Sequence, residues 1–236
     1  MNGSSAVLIH GLHLGADDWD NIVLGQNQYG KVGRILRGLK VAYEEDAKYI
    51  FWGTGASERD GVKEGQYILD YALCHLSEIA AHLSVSYAEA EGLIVYRSVV
   101  HTTAQNTRQE IRAVMEFLKP LDTRCLFIVS SPTHGGRCFT EAEVLRLGEF
   151  ADCGFQVFTV GSDVSYANSG PQDVVIVEPP HRGDRVQTNP LSVTTKRAMK
   201  LSRSPGGEAF LQSLSDFVTS QEMAITQAGE LSKKDV

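Results

Sequence analysis

The chain has 236 residues, 42% of them hydrophobic and 22% charged, close to a globular average, which excludes collagen-like, low-complexity and disordered classes. A net charge of −7 offers a nucleic-acid backbone no clustered Lys and Arg to pair with. The longest apolar runs, Ala6–Ile9, Leu126–Val129 and Val174–Val177, fall far short of the roughly 18–20 residues that cross a bilayer.

In chain order, Ala6-Val7-Leu8-Ile9 is an apolar run stopping at His10-Gly11, the pattern of a strand buried on both faces. Val32 to Tyr43 sets Val32, Ile35, Leu36, Leu39 and Tyr43 on one helical face, opposite Arg34, Arg37 and Lys40. Tyr49–Trp52 predicts a second buried strand, closed by the turn Gly53-Thr54-Gly55. The spacing of Tyr67, Ile68, Tyr71, Ala72 and Leu76 predicts a helix over 64–76, and Ile94–Val100 a short strand. Asn106-Thr107 opens a helix that runs to Leu118 and is stopped by Pro120. Leu126–Val129 is the plainest strand, followed by a loop through Ser130–Arg137 with a Gly135-Gly136 turn, then a helix after Thr140 to Phe150. Strands follow at Phe155–Val160 and Val174–Val177. Residues 179–207, rich in Pro, Ser, Gly and basic side chains, read as an extended excursion or lid before a final helix over 208–220.

Strands alternating with helices predict a Rossmann-like α/β fold: a mostly parallel sheet with helices on both faces, in three layers. Residues 1–225 are expected to form one domain, and 226–236 a tail. In such sheets ligands sit beyond the carboxyl ends of the strands. The polar clusters follow strands: His10 to His13, Gly53 to Gly55, His101 to Thr107 and Ser130 to Arg137. Cys74, Cys125, Cys138 and Cys153 lack C-x-x-C spacing and read as mostly buried thiols of a reducing cytoplasm, with no zinc role and no disulfide. His10, His13, Asp17 and Asp18 hold donor types that suit a divalent metal, but a short loop lacks the fixed i, i+4 geometry of a helical zinc motif, and the cluster is read as metal-free. No targeting segment or membrane anchor is read in the sequence, and the protein is expected to be cytoplasmic, with no nucleic-acid or membrane partner.

Two resemblances arise. Val7-Leu8-Ile9-His10-Gly11 with Asp17-Asp18-Trp19 resembles the oxyanion strand and loop of α/β-hydrolases over a short stretch, but the chain has no G-x-S-x-G elbow. Over most of residues 6–160 the order of motifs resembles the YdcF/SanA/ElyC-like family. Gly11 ends the first strand, Arg34 opens a helix, Gly53-Thr54-Gly55 ends the second strand, Glu64 opens the next helix, Asn106-Thr107 starts another, and Val129-Ser130-Ser131-Pro132-Thr133-His134-Gly135-Gly136-Arg137 fits V-[ST]-x-x-x-H-x-x-R. Ala104 and Glu110 stand where relatives more often carry Ser and Asn. This resemblance implies a Rossmann-like domain with a site for an anionic, nucleotide-like molecule, S-adenosylmethionine being the ligand associated with a member of that family.

The residues themselves support an anion site. A guanidinium such as Arg137 can hold a phosphate or carboxylate bidentately, and backbone N–H groups at Gly135-Gly136 and Asn106-Thr107 can converge on the same charge. The expected partner is a small anionic molecule, and the expected activity is hydrolysis or group transfer. His134 would move a proton, Glu64 would orient a substrate hydroxyl, amine or water, and Arg34 and Arg137 would bind negative charge. Gly11, Gly53, Thr54, Gly55, Asn106, Thr107 and Ser130 would line the substrate, with His10, His13, Asp17 and His181 as further candidates. Each has a plainer reading. Arg34 fits a solvated helix, Glu64 a helix-start carboxylate serving the macrodipole, Thr107 a helix start, and Gly53 and Gly55 turns. A non-catalytic S-adenosylmethionine-type binding module and an α/β-hydrolase-like esterase are the alternatives carried forward.

Overall fold

The computed structural model describes residues 4–26 and 29–165, and beyond them Ala209, Gln212, Ser213 and Asp216. The chain divides into two units, Met1–Ile176 and Val177–Val236, and the elements named below all belong to the first. The expected strand Val174–Val177, the excursion over 179–207 with His181, and the tail lie outside the described residues. Of the expected final helix only those four residues are described, and all four are helical.

Five parallel strands form the central sheet: β1 (Ser4–Ile9), β2 (Tyr49–Trp52), β3 (Ser98–Val100), β4 (Thr123–Ser130) and β5 (Gln156–Gly161). Their order is β3-β2-β1-β4-β5, with Ala6 beside Tyr49 on one side and Leu126 on the other. The helices are α1 (Trp19–Val23), α2 (Arg34–Glu44), α3 (Glu64–Cys74), α4 (Leu76–Leu83), α5 (Tyr87–Arg97), α6 (Thr107–Leu118) and α7 (Pro132–Leu147). Strand alternation distributes them over two faces. Val7, Ile9, Ile50, Trp52 and Val129 pack with α1–α5, while Ala6, Leu8, Phe51, Leu126 and Ile128 pack with α6 and α7. This is a three-layer Rossmann-like fold. Because the chain leaves β1 toward β2 and returns from β3 to β4, the topological switch point lies between the carboxyl ends of β1 and β4. Among the described residues no helix is long and apolar enough to cross a membrane.

Three expectations are corrected. Ile94–Arg97 is the last turn of α5 and only Ser98–Val100 is strand, because Ala90, Leu93 and Ile94 bury one helical face and the helix is fixed by a capping box. There the Ser86 hydroxyl accepts from the Glu89 N–H and the Glu89 carboxylate accepts from the Ser86 N–H. Helix α7 begins at Pro132, eight positions before Thr140, so Gly135-Gly136 is its first turn rather than a loop turn. Pro132 at the first helical position tolerates the missing N–H there, and the Gly135 N–H donates to the Ser131 carbonyl at 3.0 Å. Of the cysteines only Cys138 is buried, while Cys74 is exposed and Cys125 and Cys153 are intermediate; all four are free thiols.

Candidate functional site

The carboxyl ends of β1 and β4 and the first turns of α2, α3, α6 and α7 bring together a set of buried polar side chains. His10, Arg34, Glu64, Thr107, Glu110, Ser130, Ser131, Thr133 and His134 are all at or below 5% exposure. Isolated, such groups would cost several kcal/mol each, so their partners decide what the cluster is.

Arg34, in the first turn of α2, reaches under the β1 end. Its Nη1 donates to the carbonyls of His10 (3.1 Å) and Gly11 (2.6 Å), and its Nε to Ser131 Oγ at 3.0 Å. The guanidinium thus ties the β1 end to the β4 end across the switch point. Gly11 sits against α3: a Cβ there would overlap Glu64 Oε1 and Thr54 Cγ2. Glu64 accepts from Ser57 Oγ at 2.5 Å, and Ser57 Oγ in turn accepts from the Leu14 N–H at 2.9 Å. Thr54 Oγ1 donates to the Ala104 carbonyl and accepts from the Ala56 N–H, both at 2.8 Å, so the loops after β2 and β3 are laced together. Gly53 adopts φ +58°, and the space a side chain would take at Gly53 and Gly55 is filled by the backbone of Gly65 and Thr102.

Two imidazoles meet at the centre. His10 and His134 lie edge to face with ring centroids 4.5 Å apart. His10 Nδ1 is 2.9 Å from the Gly11 carbonyl, an acceptor only, so this nitrogen carries the proton. Its Nε2 then faces Glu110 Oε2 at 3.0 Å, and neither atom has another hydrogen-bond partner among the described residues. Glu110 Oε1 accepts from the Gly11 N–H at 3.2 Å. Burial, then the Arg34 charge, lowers the His10 pKa to about 3, against a smaller raising effect from its bond to Gly11. Burial, then the nearby Glu64, raises Glu110 well above the usual carboxylate range. Both shifts favour the uncharged forms, in which Glu110 Oε2 carries the proton toward His10 Nε2. The short separation alone would equally fit an ion pair, but desolvation acts against both charges and favours the neutral form.

His134, in the first turn of α7, has Nδ1 3.0 Å from Ser130 Oγ and 3.5 Å from Cys138 Sγ, and Nε2 3.5 Å from Thr107 Oγ1. Burial pushes the Cys138 thiol up to about 12, with Glu110 acting in the same direction. Arg137, on the same turn, is partly buried, and its charge acts on both His10 and Cys138. His10, His134 and Cys138 offer three potential metal-ligating atoms within 4.8 Å of one another.

Of the expected residues, Gly11, Arg34, Thr54, Glu64, Thr107, Ser130, His134 and His10 converge here. Asn106 caps α6, its Oδ1 accepting from the Gln109 N–H at 3.0 Å. His13 and Asp17 are exposed on the loop after β1, so the local run His10, His13, Asp17 does not gather as one cluster. With α7 starting at Pro132, the Gly135 N–H is spent inside the helix and does not converge on a ligand. Sequence reasoning passed over Glu110, Ser131 and Cys138 as site residues. Glu110 carried a signal, being a carboxylate within the stripe Thr107, Glu110, Ile111, Val114, Met115, Leu118 that α6 buries. Cys138 becomes visible only once α7 begins early enough to put it one turn from His134. Comparison of the chain with protein-family models, with curated proteins and with solved structures found no match.

Proposed function

We propose that this chain is a cytoplasmic enzyme acting on a small anionic, nucleotide-like or phosphorylated molecule, by hydrolysis or group transfer. One observation carries the reading: two imidazoles and two carboxyl groups, all buried, meet at the switch point of a parallel sheet, the position where such folds bind ligands. Arg137 is the anion-binding residue, its charge being felt at His10 and Cys138. Arg34 is assigned a different task from the one its sequence position implied. With donors engaged by His10, Gly11 and Ser131, it positions the β1 and β4 ends rather than gripping substrate. His134 moves the proton and Glu64 orients the attacking hydroxyl, amine or water. The resemblance to YdcF-like proteins supports a nucleotide-like ligand, with S-adenosylmethionine as the first to try.

The test is mass spectrometry of small molecules that co-purify with the native protein, then calorimetric titration of the molecule found. Arg137→Lys keeps the charge but loses the planar fork, and both it and Arg137→Ala are expected to weaken binding ten- to a hundredfold, on the order of 1.5–3 kcal/mol. His134→Ala is expected to abolish turnover with binding largely kept; equal loss of both would favour the non-catalytic binding module. If all three proteins bind the molecule equally, Arg137 is structural and the anion-site reading fails.

A further inference from the structure

We propose that His10, His134 and Cys138 form a site for one divalent cation of the zinc class. Their ligand atoms lie within 4.8 Å of one another and all three side chains are buried. A tetrahedral zinc with Zn–N near 2.0–2.1 Å and Zn–S near 2.3 Å holds its nitrogen and sulfur ligands about 3.5 Å apart. His134 Nδ1 and Cys138 Sγ are separated by 3.5 Å.

The ligands are also preset. His134 and Cys138 are four residues apart on α7, one turn on the same face, and His10 approaches from the rigid end of β1 with its ring edge-on to His134. The Gly11 carbonyl accepts from His10 Nδ1 at 2.9 Å, so Nε2 is the nitrogen a cation would take, displacing the contact with Glu110; carbonyl acceptors orient metal-bound histidines in this way. On His134 the arrangement is reversed. Nδ1 is the ligand atom, released by the Ser130 hydroxyl 3.0 Å away, while Nε2 keeps the ring proton toward Thr107 Oγ1.

On ligation Cys138 gives its thiol proton to solvent. Two imidazoles and a thiolate select zinc or cobalt over magnesium and calcium, which prefer oxygen. Three protein ligands leave the fourth position to water or a substrate oxygen. The site differs from the loop run His10, His13, Asp17 considered from sequence, and a bound cation takes His134 as a ligand in place of the proton-moving role proposed above, while the anion-binding role of Arg137 is unaffected.

Cobalt(II) is the probe, titrated into the full-length chain after chelator treatment under a phosphine reductant. One equivalent is expected to produce the thiolate-to-cobalt charge-transfer band and the intense visible bands of tetrahedral cobalt, both removed by one equivalent of zinc. Cys138→Ser should lose the charge-transfer band, His10→Gln should weaken binding at least tenfold, and Cys74→Ser, altering an exposed thiol, should change neither. Absence of these bands in folded wild type overturns the proposal even if the variants fail to fold, and so does their survival in folded Cys138→Ser. Because the titration contains no organic ligand, a negative result leaves the anionic-substrate reading standing, and loss of that reading leaves the metal site standing.

Discussion

Helices α6 and α7 meet at two places that differ in almost every physical respect. At their amino ends Thr107 faces His134 in the buried cluster. One residue along, Arg108 pairs with Glu141 at 2.5 Å, and a turn later Arg112 pairs with Glu149, just past the end of α7, at 2.8 Å, both on the solvent side. The surface pairs have full charges and short distances, yet water competes for each of them and their worth is small. In the buried cluster the central pair, His10 and Glu110, favours its neutral form, and every polar group depends on its neighbours because an unpaired group costs most in a low dielectric. Charge is thus a poor guide to energetic weight in this protein. Position relative to the carboxyl edge of the sheet is the better one.

The largest expected effect follows from Arg34. Replacing it with Ala strands the His10 and Gly11 carbonyls and Ser131 Oγ and removes the cation that opposes Glu110's raised pKa. A loss of about 3–5 kcal/mol in urea unfolding is expected. A loss below about 1 kcal/mol, the level of a surface pair, would erase the contrast between the two regions. Next comes Gly11→Ala, whose methyl group would meet Glu64 Oε1 and Thr54 Cγ2. Overpacking of this kind costs typically 1–3 kcal/mol, measured in the same way, and stability equal to wild type would show that the seam between β1 and α3 yields freely.

Much of this cluster was open to reading from the sequence because its members follow strands. The run Ala6–Ile9 ends at His10-Gly11, and Leu126–Val129 ends at Ser130-Ser131, so a parallel sheet must bring them to one edge. The cap Asn106 and the stop at Leu118 were local signals, and both hold. The start of α7 was hidden because Gly135 and Gly136 disfavour helix locally, while packing against β5 and α6 overrides that preference. Glu110 was obscured by a different cause. A carboxyl group on a buried stripe looks like an error in amphipathicity until its partners, the Gly11 N–H and the His10 ring, are placed across the sheet. Partners from distant segments leave no mark in local spacing.

The neutrality of the pair makes a prediction about pH. His10 has its folded pKa lowered to about 3 from 6.5, so its contribution is complete above pH 6.5 and is withdrawn as pH falls toward 3. Glu110 has its folded pKa raised above 4.5, so its contribution is complete below 4.5 and is withdrawn as pH rises. Between 4.5 and 6.5 the unfolded chain holds this proton on His10 and the folded chain holds it on Glu110, so the two slopes cancel and the pair's contribution is flat. Glu110→Gln keeps a carbonyl for the Gly11 N–H and an N–H donor for His10 Nε2 while removing one of the two titrations. In the variant, stability is expected to climb through that window by about 1.4 kcal/mol per pH unit relative to wild type, and its alkaline decline should shrink. Parallel curves for the two proteins, from chemical unfolding across pH 4–8, would mean that His10 keeps its proton in the folded variant and that burial does not hold it neutral.

The smallest effect belongs to the solvent side of the same two helices. Arg112 and Glu149 are each about two-fifths exposed, with side-chain values of 39% and 44%, so the gain in Coulomb energy is largely offset by hydration and by the entropy of fixing two long side chains. A double-mutant cycle on Arg112→Ala and Glu149→Ala is expected to give a coupling of about 0.2–1 kcal/mol, and that coupling should fade when salt is raised toward 1 M, where the screening length falls to about 3 Å. The pair His10 and Glu110, being buried and neutral, should show no such salt dependence in the Glu110→Gln comparison. A salt-resistant coupling of several kcal/mol at Arg112 and Glu149 would place the strength of the α6–α7 seam at its surface, and the buried end would then be a ligand site carried by the fold rather than a part of what holds the fold together.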